Sequence, residues 1–71
     1  MPPKGGGSSG SGREIYFEFV VVGSSVKVTA IDSASGTEVV VIGPANAARS
    51  DLERLAMGKL ERKLAQLGHG S

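Results

Sequence analysis

Apolar and polar residues alternate with a period of two over the first half of the chain and recur at helical spacing over the second. Glu14 to Val22 is dense in β-branched and aromatic residues and reads as a strand. Gly23-Ser24 fits a two-residue type II′ turn, since glycine supplies the positive φ at its first position. Ser25 to Asp32 is a second strand, with Val26, Val28 and Ala30 alternating against Lys27 and Thr29. Ser33 to Gly36 forms a loop, with Asp32 placed to bond its backbone and Gly36 suited to the left-handed conformation. Thr37 to Ile42 is the third strand, and Gly43-Pro44 ends it because proline has no N–H for a ladder.

The two turns fix a register independently of each other. The first pairs Val21 with Val26, Phe19 with Val28 and Phe17 with Ala30; the second pairs Ala30 with Val39 and Val28 with Val41. Both place Ile15, Phe17, Phe19, Val21, Val26, Val28, Ala30, Val39 and Val41 on one face, whereas a one-residue slip would scramble that face. The agreement predicts a three-stranded antiparallel meander.

A helix follows. Ser50-Asp51-Leu52-Glu53 has the pattern of a capping box, with Asn46 offering an earlier start. Leu52, Leu55, Ala56, Leu60, Leu64 and Leu67 fall on one stripe that covers the Phe17/Phe19 face, and Gly68 is placed to cap the C-terminus. Asp51 and Glu53 lie near the positive end of the helix dipole, and Lys59, Arg62 and Lys63 toward the negative end. Gly58 lies off the stripe, where it costs about 1 kcal/mol relative to alanine unless something packs closely on it. The predicted fold class is α+β: a three-stranded antiparallel meander packed against one C-terminal helix, βββα.

Composition narrows what such a fold can be. The 71 residues contain no cysteine, so neither a disulfide framework nor a thiolate metal site stabilises the domain. Residues 1–12 are a Gly/Ser-rich tail that is expected to be disordered, residues 13–67 form a single domain, and residues 68–71 are a second tail. Eight Lys/Arg stand against seven Asp/Glu, with Lys4 of the tail as the excess, which makes no electrostatic case for nucleic acid or anionic lipid. No apolar run approaches the ~20 residues of a membrane-spanning helix, and no apolar stretch near Lys4 marks a secretory signal. A cytoplasmic location is expected by elimination.

The search for chemistry returns little. Gly5, Gly7 and Gly10 match the spacing of a dinucleotide-binding turn, but that motif needs a strand before it and a helix after it. His69 is the only histidine and has no partner to form a metal site, so neither a cofactor nor a metal is expected. Ser24, Ser25, Ser33 and Ser35 are turn residues without a base. Glu14, Glu18 and Glu38 share the outer sheet face, which offers no cleft to shift a carboxyl pKa. Gly58-Lys59 lacks the preceding glycine and following hydroxyl of a phosphate loop. No catalytic residue is assigned, and an enzyme is not expected.

The outer face of the sheet carries more information. It holds Tyr16, Val20, Ile31, Val40 and Ile42 beside Glu18, Lys27, Thr29 and Glu38, far more apolar than a solvated face. The outer strands also lack, on this reading, the proline, bulge or inward charge that protects a sheet edge. Tyr16, Val20, Ile31, Val40 and Ile42 are therefore the expected interface of a homodimer. Outer-face contact, edge pairing and helix exchange across Gly43-Pro44 are all open as its route. The chain's partner is thus itself, with a further protein partner allowed. The alternative is a weak nucleic-acid binder that uses Lys59, Arg62 and Lys63, the one local basic cluster.

Glu14-Ile15-Tyr16-Phe17-Glu18-Phe19, Val26 to Asp32, Gly36-Thr37-Glu38-Val39, Gly43-Pro44 and the Leu52, Leu55-Ala56, Lys59-Leu60 pattern together resemble a family of small uncharacterised bacterial proteins. The resemblance covers residues 13–67. It implies a bacterial cytoplasmic protein, and since the family has no assigned activity it supplies no catalytic residue. The function expected is a small homo-oligomerising interaction or structural module without catalysis.

Overall fold

A computed structural model describes residues 14–68. The tail at residues 1–12 and His69 lie outside the described residues. Strand β1 (Ile15–Val22) pairs antiparallel with β2 (Ser25–Asp32), which pairs antiparallel with β3 (Glu38–Pro44), and helix α1 (Arg49–Gln66) follows. The fold is the expected βββα meander.

The turns act as their sequences dictate. Gly23 has φ +62° and Gly36 has φ +76°, so the positive φ that each turn requires falls on glycine. The buried Asp32 accepts the Ser35 N–H at 3.2 Å and the Ser35 hydroxyl at 2.7 Å through Oδ2. Both registers agree with the pattern, including Phe19 with Val28, Phe17 with Ala30, and Ala30 with Val39.

The third strand differs from expectation, running on through Gly43 and Pro44, which pair with Val26 and Ser25. The Ala45 N–H donates to the Ser24 carbonyl at 2.8 Å, and hydrogen bonding alternates along an antiparallel ladder. The nitrogens of Gly43, Val41 and Val39 therefore face β2, whereas that of Pro44 faces the open edge, where no N–H is needed. Gly43 serves close approach: a Cβ there would lie 2.6 Å from Leu52 Cδ2.

The helix also starts earlier than the capping box implies. Ala48 is the N-cap, no side chain caps it, and Ser50 lies inside the first turn. Packing onto the sheet sets this start instead. Leu52 seats against Gly43, and the Arg49 guanidinium stacks 4.4 Å above the Phe19 ring. At the other end the Gly68 N–H donates to the Ala65 carbonyl at 3.1 Å, as expected of its capping role.

The core is narrower than the pattern suggests. Leu52, Ala56, Leu60 and Leu64 bury themselves against Val26, Val28, Ala30 and Val39, while Leu55 and Leu67 of the expected stripe stay exposed. The helix packs chiefly on β2 and β3 and reaches β1 through Arg49 over Phe19. Ile15, Phe17 and Phe19 reach the core only from the side and are half-buried, and Val21 is 66% exposed. The leucine stripe thus covers the Phe17/Phe19 face as expected, centred over β2 and β3, with Phe17 and Phe19 at the margin of the core.

Two substitutions test this account of the helix. Leu60→Ala removes a fully buried side chain and is expected to lower the unfolding free energy by about 2–5 kcal/mol in a denaturant titration. At Gly58 a new Cβ meets only Arg62 Nη1, at 3.8 Å, so Gly58→Ala is expected to raise stability by about 0.5–1 kcal/mol.

Candidate interaction surface

The sheet has two edges, and they are finished differently. Register fixes which backbone groups each edge presents. The Ser33 N–H donates to the Glu14 carbonyl at 2.9 Å, so the even-numbered residues of β1 bond to β2. The N–H and C=O groups of Ile15, Phe17, Phe19 and Val21 therefore point away from the sheet. On β3 the outward groups belong to Glu38, Val40, Ile42 and Pro44.

The β3 edge is blocked twice. Pro44 has no N–H to offer, and the Lys59 ammonium reaches across from the helix to donate to the Val40 carbonyl at 2.7 Å. Proline and lysine are both common edge protectors, and the expectation that both edges lack protection fails at β3. The proline escapes the sequence pattern because Gly43-Pro44 reads as the end of the strand, whereas the strand runs through it. The lysine went unrecognised because its partner is a backbone carbonyl, which leaves no mark in a sequence pattern. Along β1, among the described residues, no such group blocks the outward row.

The side chains of β1 add to this exposure. Phe17 and Phe19 lie on the helix side at the margin of the core and stay half-buried, with Arg49 from the start of the helix over Phe19. Val21 and Val22, at 66% and 64% exposure, point to opposite sides of the strand end. The Val21–Val22 end of the β1 rim is apolar on both faces.

The residues singled out on the outer face come together as the register requires. Tyr16 pairs with Ile31, and Val40 pairs with Thr29, which pairs in turn with Glu18. Their exposure is graded: Tyr16 and Ile31 are half-buried, Val20 and Val40 are each 39% exposed, and Ile42 is 65% exposed. Thr29, at the centre, is 7% exposed, so neighbouring side chains already shield the middle of this face. Glu18 and Glu38 flank different residues of β2 and form no cleft.

Lys59, Arg62 and Lys63 do converge. Together with Glu38 and Gln66 they line a groove of about 560 Å³ between the β3 edge and the second half of the helix. Glu38 contributes an opposing charge, and Lys59 is already used on the sheet edge. Among the described residues there is no group of three or more His, Cys, Asp or Glu side chains able to hold a metal ion, and no helix is long and apolar enough to cross a membrane.

One titratable group stands out on the β1 rim. The Tyr16 hydroxyl donates to Glu14 Oε1, and this bond raises the phenol pKa above its ordinary value, helped by desolvation and by the nearby carboxylate charge. Tyr16 is the only tyrosine, so absorbance near 295 nm reads its ionisation alone. Its midpoint is expected above that of an unstructured tyrosine and is expected to fall in Glu14→Gln, since both the acceptor strength and the charge that oppose ionisation weaken.

No curated protein and no solved structure matches the chain. A family profile matches residues 12–67, which take in all three strands and the helix. The chain therefore belongs to that family, a domain of unknown function designated DUF6898.

Proposed function

We propose that the chain is a non-catalytic interaction module that self-associates through the open edge of β1. The observation that carries this reading is the contrast between the edges. The β3 edge is closed by Pro44 and Lys59, while among the described residues nothing blocks the outward row of β1 backbone donors and acceptors, which runs beside the half-buried Phe17 and Phe19. Strand addition satisfies such a row and buries its flanking side chains in one step. On this reading the association lies at the rim of the sheet rather than on the outer face toward Val40 and Ile42, beside the shielded Thr29. A bacterial, cytoplasmic setting belongs to the same proposal and rests on the sequence alone.

Light scattering on the full chain at high micromolar concentration is expected to give twice the 7.2 kDa chain mass. Val21→Pro deletes an outward N–H without touching the β2 ladder. It is expected to return the mass to 7.2 kDa and to keep the circular dichroism of the folded domain. Val40→Lys combined with Ile42→Lys, both on the outer face of β3, is expected to leave the dimer intact. A wild-type mass of 7.2 kDa, or a dimer that survives Val21→Pro but not the lysine pair, contradicts the reading.

A further inference from the structure

We infer that the occupant of the β1 edge is the β1 strand of a second copy, paired antiparallel about a two-fold axis through Phe19. This rests on the reading of β1 as a self-association edge and specifies its partner and register. A two-fold axis normal to the sheet makes two identical edge strands antiparallel, and each copy then presents the same patch to the other. The outward backbone groups sit at Ile15, Phe17, Phe19 and Val21. Hydrogen-bonded pairing must therefore join odd-numbered residues to odd-numbered residues, which restricts the axis to a single residue of the strand.

Two positions of the axis give the longest overlap of a strand running from Ile15 to Val22. With the axis at Glu18, residues 15–21 pair; with the axis at Phe19, residues 16–22 pair. Charge decides between them. The axis at Glu18 sets two carboxylates directly opposite at a Cβ separation of about 4.5–5.5 Å, and like charges facing across strands destabilise the pair. The axis at Phe19 sets Glu18 opposite the partner's Val20.

The remaining pairs fit the same register. Phe17 meets the partner's Val21, and Tyr16 meets the partner's Val22. Aromatic residues beside β-branched ones are among the favourable cross-strand combinations. The two valines that gain these partners are the ones left 66% and 64% exposed in the single chain. Phe19 meets the partner's Phe19 at the axis, each with an Arg49 above it. The bodies of the helices do not obstruct this, because each lies chiefly over β2 and β3 of its own sheet and only its Arg49 side chain extends over Phe19. The product is a continuous six-stranded sheet with both helices on one side.

The chain has no cysteine, so introduced thiols report the register without background. Tyr16 and the partner's Val22 form a non-hydrogen-bonded pair, with Cα atoms about 4.5 Å apart, within reach of a disulfide. Glu18 is retained in every variant. Mixing Tyr16→Cys with Val22→Cys under oxidised glutathione is expected to give a covalent heterodimer, with neither variant cross-linking efficiently alone. Mixing Tyr16→Cys with Val20→Cys reports the axis at Glu18, and Val20→Cys alone reports an axis at Val20. Efficient cross-linking in either of those arms instead of the first overturns the register. Absence of any cross-link while the reduced variants scatter as dimers overturns the use of the β1 edge and leaves self-association standing. Absence of cross-links with a mass of 7.2 kDa overturns self-association as well.

Discussion

An α-helix is about 10 Å across with its side chains, and strands in a sheet lie about 4.8 Å apart. One helix therefore covers two strands, and a three-stranded sheet with one helix must leave a strand bare. In this chain Leu52, Ala56, Leu60 and Leu64 recur every fourth residue, a stripe that buries Val26, Val28, Ala30 and Val39 fully and the β1 residues Ile15, Phe17 and Phe19 only in part. Gly43 sharpens the choice, because its missing side chain lets Leu52 settle against β3. The helix is drawn toward β3, and β1 is left at the margin of the core with its inner side chains half-buried.

The two edges follow from that placement. A helix lying over β3 brings Lys59 within reach of the Val40 carbonyl, and it lets the chain leave the strand through Pro44. Both features close the β3 edge. Among the described residues neither has a counterpart at β1, which the helix reaches only through Arg49 over Phe19. The same asymmetry decides burial, hydrogen bonding and exposed apolar surface together. The β1 rim is accordingly the place where added structure gains most, since backbone groups and aromatic side chains there are satisfied by the same neighbour.

Much of this was legible from the residues. The turn glycines at 23 and 36 and the alternation of valines fixed strand pairing residue by residue, because each turn admits few registers and only one keeps the apolar face together. The βββα order was equally plain. The lateral position of the helix was not, since Leu55 and Leu67 satisfy helical spacing as well as Leu60 does and periodicity does not say which strands a stripe will meet. The helix start was misplaced because Ser50 and Glu53 have capping chemistry, yet docking onto Gly43 and Phe19 overrides it. At the surface, the apolar outer face drew attention to Tyr16, Val20, Ile31, Val40 and Ile42. The difference between the edges depends on which way single carbonyls point, which requires the register and the helix position at once.

Residue-resolved amide hydrogen exchange along β1 tests the central claim most directly. In an isolated chain the amides of Tyr16, Glu18, Val20 and Val22 are held by β2, while those of Phe17, Phe19 and Val21 face water. The account predicts that at high protein concentration Phe17, Phe19 and Val21 become as protected as their even-numbered neighbours and lose that protection selectively on dilution. Alternating protection that persists at every concentration, with those three amides always free to exchange, would contradict it.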